Sequence, residues 1–133
     1  MFWWCRSQRR PLTYGMAPSE RFEAFQLCHQ LALAVYRETA TFPLQERYGL
    51  TPQARRAAFS APANIVEGSV KRGKAEFRRY LDIALGSRAE LGYAIRFAHE
   101  LGFLDANKRA ALDEAHTRAS KATWVLYASM TGK

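Results

Sequence analysis

From Lys74 to Leu101 the chain runs for about 28 residues without a proline, and its apolar side chains return every three or four positions; Gly73 and Gly102 bracket it. At 1.5 Å per residue this is a helix of roughly 42 Å. An amphipathic helix of that length has to lay its apolar stripe against partners of comparable length. A chain of 133 residues has room for one ordinary core, so those partners come from its own flanking segments.

The flanks supply them. Ser19 is a good N-cap, with Glu20 and Glu23 in the first turn, and Phe22, Phe25, Cys28, Ala32, Val35 and Tyr36 recur at helical spacing to about Glu38. Thr39 to Leu50 holds Pro43 and Gly49 and reads as an ordered loop whose Phe42, Leu44, Tyr48 and Leu50 cap one end of a bundle. A second helix opens with Thr51 as N-cap and Pro52 at the first helical position and closes near Gly68. Pro62 lies inside it, where the missing N–H and the crowded carbonyl of Ala58 predict a kink or a break, at a cost of roughly 3 kcal/mol unless the surroundings accommodate it. Gly68 to Gly73 is a basic turn, Gly102-Phe103-Leu104 ends the third helix, and Asp105 caps a fourth carrying Leu112, Ala115, Ala119, Ala122, Leu126 and Met130 on one face. Trp124 reads as packing at the bundle end. No strand pattern or internal repeat competes, and short connections between long helices make neighbours antiparallel. The expected fold is all-α, an antiparallel up-down-up-down four-helix bundle over residues 18–133.

Residues 1–17 read differently. Met1-Phe2-Trp3-Trp4-Cys5 is an aromatic cluster without helical period, and Pro11 and Gly15 punctuate the approach to the first helix. The apolar run precedes the arginines and is too short for a secretory signal. Two readings stand: a disordered, flexible extension, or a translation start placed too early with Met16 as initiator.

Composition excludes several classes. With 48% hydrophobic and 24% charged residues and no apolar run near the ~18 residues of a membrane span, the chain reads as a globule of the cytoplasm. Cys5 and Cys28 have no ligand-like spacing, and His29 and His99 stand alone, so neither a disulfide framework, a metal site nor a cofactor is expected. The net charge of +8 suits a polyanionic partner. Its distribution is uneven: Arg6, Arg9 and Arg10 carry +3 near the N-terminus, and residues 51–80 set Arg55, Arg56, Lys71, Arg72, Lys74, Arg78 and Arg79 against Glu67 and Glu76, a surplus of +5. These seven cations are the candidate nucleic-acid contacts.

Two polar lines also need a role. Gln53, Arg56, Ser60, Asn64 and Glu67 fall along one side of the second helix, and Glu76, Ser87 and Glu90 along one side of the third. Both are either solvated faces or a hydrogen-bonded seam, within the bundle or between copies. Gly86 favours the seam, because an interior helical glycine costs about 1 kcal/mol against alanine and marks close approach of another backbone. Ser60, Asn64, Glu67, Glu76, Gly86, Ser87 and Glu90 are therefore the candidate seam or oligomer interface.

The blocks Ala57-Ala58-Phe59-Ser60, Asn64-Ile65-Val66-Glu67-Gly68, Glu76-Phe77-Arg78-Arg79-Tyr80-Leu81 and Ala84-Leu85-Gly86-Ser87-Arg88-Ala89-Glu90-Leu91 resemble the four-helix-bundle family whose members include proteins encoded in intervening sequences of bacterial 23S ribosomal RNA genes. Tyr48-Gly49-Leu50-Thr51 and the stretch from Phe25 to Tyr36 are similar to it too, so the resemblance spans about Ser19 to Met130. It implies a homo-oligomer, a pentameric ring around a central pore. A related branch, the accessory variability proteins of diversity-generating retroelements, binds nucleic acid and a reverse transcriptase through a positively charged surface. Pro62 and the first fifteen residues depart from the family pattern.

The sequence thus points to a non-enzymatic, homo-oligomeric protein that binds nucleic acid, RNA foremost. Fivefold repetition of a +5 segment would gather roughly 25 charges on one ring, enough for salt-sensitive, sequence-tolerant binding. One alternative is a protein-interaction adaptor, for a reverse transcriptase among others. A second rests on Arg109 and His116, two turns apart on one edge of the fourth helix, a spacing similar to that in metal-independent HEPN-type ribonucleases. Any helix with one Arg and one His has a fair chance of such spacing.

Overall fold

The computed structural model describes residues 18–130. It is built from α1 (Glu23–Thr39), α2 (Leu50–Ser69), α3 (Gly73–Glu100) and α4 (Ala106–Ser129), with short 3-10 turns at Pro18–Arg21 and Leu44–Tyr48, and no strand occurs among these residues. α1 packs on α2 and α4, and α3 packs on the same two helices, so the four close a square bundle, with the α2–α3 contact the most extensive. The expected four-helix bundle is the fold; readings that concern residues 1–17 lie outside the described residues.

The core explains that closeness. α2 presents Ala54, Ala57, Ala58 and Ala61 with Ile65, and α3 answers with Phe77, Leu81, Ala84, Leu91 and Ile95, all buried. Four alanines on one face let the axes approach, and the large side chains of α3 fill the space they leave. One tight point is Gly68, where an added Cβ would stand 2.7 Å from Tyr80 Cβ and 2.9 Å from Phe77 Cδ1. α1 meets α4 at a small polar joint: the Cys28 thiol lies 3.4 Å from Thr123 Oγ1, whose own proton goes to the Ala119 carbonyl at 2.7 Å. The thiol is thus the donor, and burial pushes its pKa up.

Helix ends follow local chemistry with two exceptions. Asp105 caps α4 by accepting from Lys108 N at 2.8 Å. α3 stops in a Schellman motif, with Gly102 at φ +85°, Gly102 N–H on His99 O and Phe103 N–H on Ala98 O, both at 2.9 Å. The His99 ring adds a 2.9 Å bond to Leu104 O. Ser19, in contrast, does not cap α1. It is buried in the 3-10 turn, and the α-helix starts at Glu23 after an extended Phe22 whose ring packs 5.6 Å from Phe77. Nor is Thr51 the N-cap of α2: the helix starts at Leu50, after Gly49, with the Leu50 N–H held by Glu46 Oε1 at 3.0 Å, so Pro52 is its third residue and not its first.

Pro62 does not break α2, which runs unbroken from Leu50 to Ser69. Its ring is buried and lines a groove against α1 together with Phe25, Ala32 and Phe59. Phe42 caps the bundle end as expected, 5.5 Å from Phe103. Leu44 and Tyr48 do not: they are 72% and 85% exposed, the latter beneath the Arg47 guanidinium at 5.0 Å.

Candidate nucleic-acid interface

The turn between α2 and α3 is tight because Val70 N–H returns to Glu67 O and Lys71 N–H to Gly68 O, while Gly73 takes φ +81° to launch α3. Lys71, Arg72 and Lys74 project from this turn, exposed and without an ion pair among the described residues. The N-cap residue of α3, Arg72, makes no side-chain capping bond among the described residues. The free N–H groups of α3 and the positive end of the helix dipole therefore reinforce the three cations. Arg79 lies one turn on, 4.7 Å above the Tyr80 ring, which Lys71 Nζ also approaches at 5.5 Å. Glu76 holds Arg79 at 3.4 Å across an exposed i,i+3 pair, worth little in water. Arg78 reaches back to α4, with Nη1 3.4 Å from Met130 O.

Five of the seven predicted cations thus share one end of the bundle. Arg55 and Arg56 do not; they sit roughly 20 Å away along α2. Arg55 closes the end of α1, with Nε on Thr39 Oγ1 at 2.8 Å, Nη2 on Tyr36 O at 3.2 Å and its guanidinium 4.6 Å over the Tyr36 ring. Arg56 bonds Gln53 Oε1 at 2.7 Å.

The two polar lines meet at their centre. Ser60 and Ser87 share a 2.7 Å bond between α2 and α3, and Asn64 Nδ2 donates to Ser60 O at 2.8 Å and to Ser60 Oγ at 3.1 Å. Towards the ends the lines open to solvent at Glu67, Glu76 and Glu90. Gly86 does not mark a close approach among the described residues: it is exposed, and none of them outside its own turn of helix lies within 4 Å of a Cβ placed there. Between helices the glycines that admit a neighbour are Gly68 and Gly92, the latter with the His116 ring 3.0 Å from its would-be Cβ, while Gly49 at the start of α2 makes room for Glu46 Oε1 at 2.9 Å.

His116 is drawn into the α3–α4 joint. Its Nε2 lies 2.7 Å from Arg88 O and 3.2 Å from Arg88 Nη1. One nitrogen fills only one of these roles, and the shorter carbonyl contact makes it the donor. Burial lowers the imidazole pKa, with the neighbouring Arg88 charge adding to the effect. Arg88 is itself half-buried, its Nε has no hydrogen-bond partner among the described residues, and burial lowers its pKa. Arg109, the other half of the ribonuclease-like spacing, is engaged by Asp113 Oδ2 at 2.9 Å. Among the described residues no group of His, Cys, Asp and Glu is placed to hold a metal ion.

The model of one protein family matches residues 20–124, and its description is 23S rRNA-intervening sequence protein. The chain belongs to that family. A crystal structure of a protein of unknown function from the S23 ribosomal protein family of Bacteroides thetaiotaomicron is similar in fold, with a TM-score of 0.69 at 19% identity over 81% of this chain and 98% of that one. No curated protein matches.

Two surfaces of this 23S rRNA-intervening sequence family member escape the sequence reading. Between α1 and α2 an apolar groove of about 620 Å³ is lined by Phe25, Leu33, Tyr36, Phe59, Pro62 and Val66 among others, with Phe59 63% exposed. On α4, Trp124 is 58% exposed and stacks on Tyr127 with centroids 5.3 Å apart and planes 27° from parallel. The expectation that Trp124 packs the bundle end is corrected: the α4 face towards the core is filled by Ala119 and Thr123, which leaves the next position outside. A sequence signal existed for His116, since Gly92 follows Arg88 by four residues and clears one face of α3. For the groove there was none, because its residues are spaced like core.

Proposed function

We propose that this family member is a non-enzymatic, homo-oligomeric protein that binds nucleic acid, RNA foremost, through the end of the bundle where α2 turns into α3. The observation that carries the reading is the grouping of Lys71, Arg72 and Lys74, unpaired, at an uncapped helix start with Arg78 and Arg79 behind them. Long cations at such a place reach successive phosphates, and the resulting affinity is dominated by counterion release. Engagement of His116 by Arg88 and of Arg109 by Asp113 favours binding over cleavage. Self-association is supported by the apolar groove between α1 and α2, where Phe59 and Tyr36 leave much of their surface exposed. A ring of five copies, as the family resemblance implies, would repeat the basic end around one rim.

The test is binding of a labelled structured RNA at about 50 and 200 mM salt, with the recovered RNA run on a denaturing gel. The wild type should bind in a steeply salt-dependent way and return the RNA intact. Lys71→Gln, Arg72→Gln and Lys74→Gln combined should weaken binding and flatten the slope by nearly one unit for each lost phosphate contact. Unchanged affinity and slope would remove this surface from the reading, and cleavage would bring Arg109 and His116 forward. Phe59→Asp, measured by sedimentation, should shift the protein towards monomer.

A further inference from the structure

We infer that the exposed stack of Trp124 on Tyr127, together with the groove that Tyr127 shares with Arg78 and Arg79, is a binding site for unpaired bases of a single-stranded polynucleotide. This rests on the nucleic-acid reading above and specifies the form of nucleic acid it selects. Three observations carry it. Trp124 offers more than half of its surface to solvent, and it is held face to face with Tyr127, so a base that lands on it meets a ring already ordered. Tyr127 also lines an open groove of about 270 Å³ whose other walls are Ala75, Arg78, Arg79 and Asp82. One aromatic ring and two guanidinium groups thus line one depression, and one of these cations, Arg79, also lies over the Tyr80 ring that Lys71 approaches. Arg78 is anchored to the end of α4 by its bond to Met130 O, which keeps the cationic wall against the aromatic one.

The chemistry this pairing suits is that of a strand with its bases splayed out. Phosphates lie along the arginines while a base stacks on an aromatic face, an interaction tolerant of sequence because every base has a π-face. A duplex offers its phosphates to the same cations but keeps its bases paired and stacked on one another, so it gains nothing from Trp124. Among the described residues Asp82 is the one acid lining the groove, and its carboxylate opposes phosphate.

The experiment compares a labelled unstructured oligouridine of about 12 nucleotides with an RNA duplex of the same length, by anisotropy. Wild type should prefer the single strand. Trp124→Ala should weaken single-strand binding about tenfold and leave duplex binding and the salt slope unchanged, while Trp124→Phe should retain most of the affinity. Asp82→Asn should tighten binding of both. In a Trp3→Phe, Trp4→Phe background the single strand alone should quench tryptophan fluorescence. Equal losses on both ligands in Trp124→Ala, or no loss on the single strand, would overturn the stacking site while leaving the basic surface in place. If wild type binds neither ligand, the nucleic-acid reading itself fails and the stacking site with it.

Discussion

Two glycines in the α2–α3 pair should respond to the same substitution with opposite sign. At Gly68 the new methyl would sit 2.7 Å from Tyr80 Cβ and 2.9 Å from Phe77 Cδ1. A Cβ moves only with its backbone and Phe77 is buried in the core, so relief requires α2 and α3 to separate. Overpacking of that kind costs about 1–3 kcal/mol. The gain in helix propensity is small this close to the last residue of α2, which leaves a net loss of about 1–2 kcal/mol for Gly68→Ala. At Gly86 the position is mid-helix, exposed and open, so Gly86→Ala collects the propensity term alone and gains about 1 kcal/mol. For a chain of this length these correspond to a Tm drop of about 4–8 °C and a rise of about 4 °C. Thermal and urea unfolding followed by circular dichroism, at one fixed protein concentration because assembly shifts Tm, measures both. Gly68→Ala at or above wild-type stability would refute the packing argument. Gly86→Ala that lowers Tm, more so at high protein concentration, would place a second copy of the chain against that face.

Two further predictions concern the polar joints. His116 is held below its ordinary pKa by burial, so the unfolded chain takes up a proton that the folded chain refuses: its contribution to stability is complete above about pH 6.5 and is lost as pH falls below that value. The stability difference between wild type and His116→Gln should therefore narrow between about pH 7 and pH 5; a constant or widening difference in urea titrations would count against a buried neutral imidazole. At the Ser60–Ser87 bond, Ser60→Ala strands a half-buried hydroxyl and takes one acceptor from Asn64, at a cost of about 1 kcal/mol, whereas adding Ser87→Ala should cost little more. A double-mutant cycle reads this, and strictly additive losses would mean the two hydroxyls do not interact.

The positions of the helices were legible from the chain because the interactions that set them are local. Asp105 needs only the N–H three residues on, Gly102 needs only its own positive φ, and the Phe25 to Tyr36 stripe repeats at 3.6 residues whatever packs on it. The basic turn at Lys71, Arg72 and Lys74 was legible for the same reason, since adjacent cations on a turn stay adjacent. What the chain alone left open was each question that needed to know the neighbour. Gly86 and Gly68 carry the same backbone cost, and only the position of Phe77 and Tyr80 across the α2–α3 interface decides which one must lack a Cβ. Arg55 and Arg79 are both cations of one charged stretch, yet one is spent on the end of α1 and the other faces solvent. Ser60 meets Ser87, and His116 meets Arg88, because helices distant in sequence come to rest at a particular separation and rotation. The period of a helix gives each residue an angle on its own axis and nothing about the angle at which the next helix arrives. Between α2 and α3 that second angle is set by the fit of alanines on α2 against Phe77, Leu81 and Leu91 on α3, and on α4 the burial of Ala119 and Thr123 is what leaves Trp124 outside.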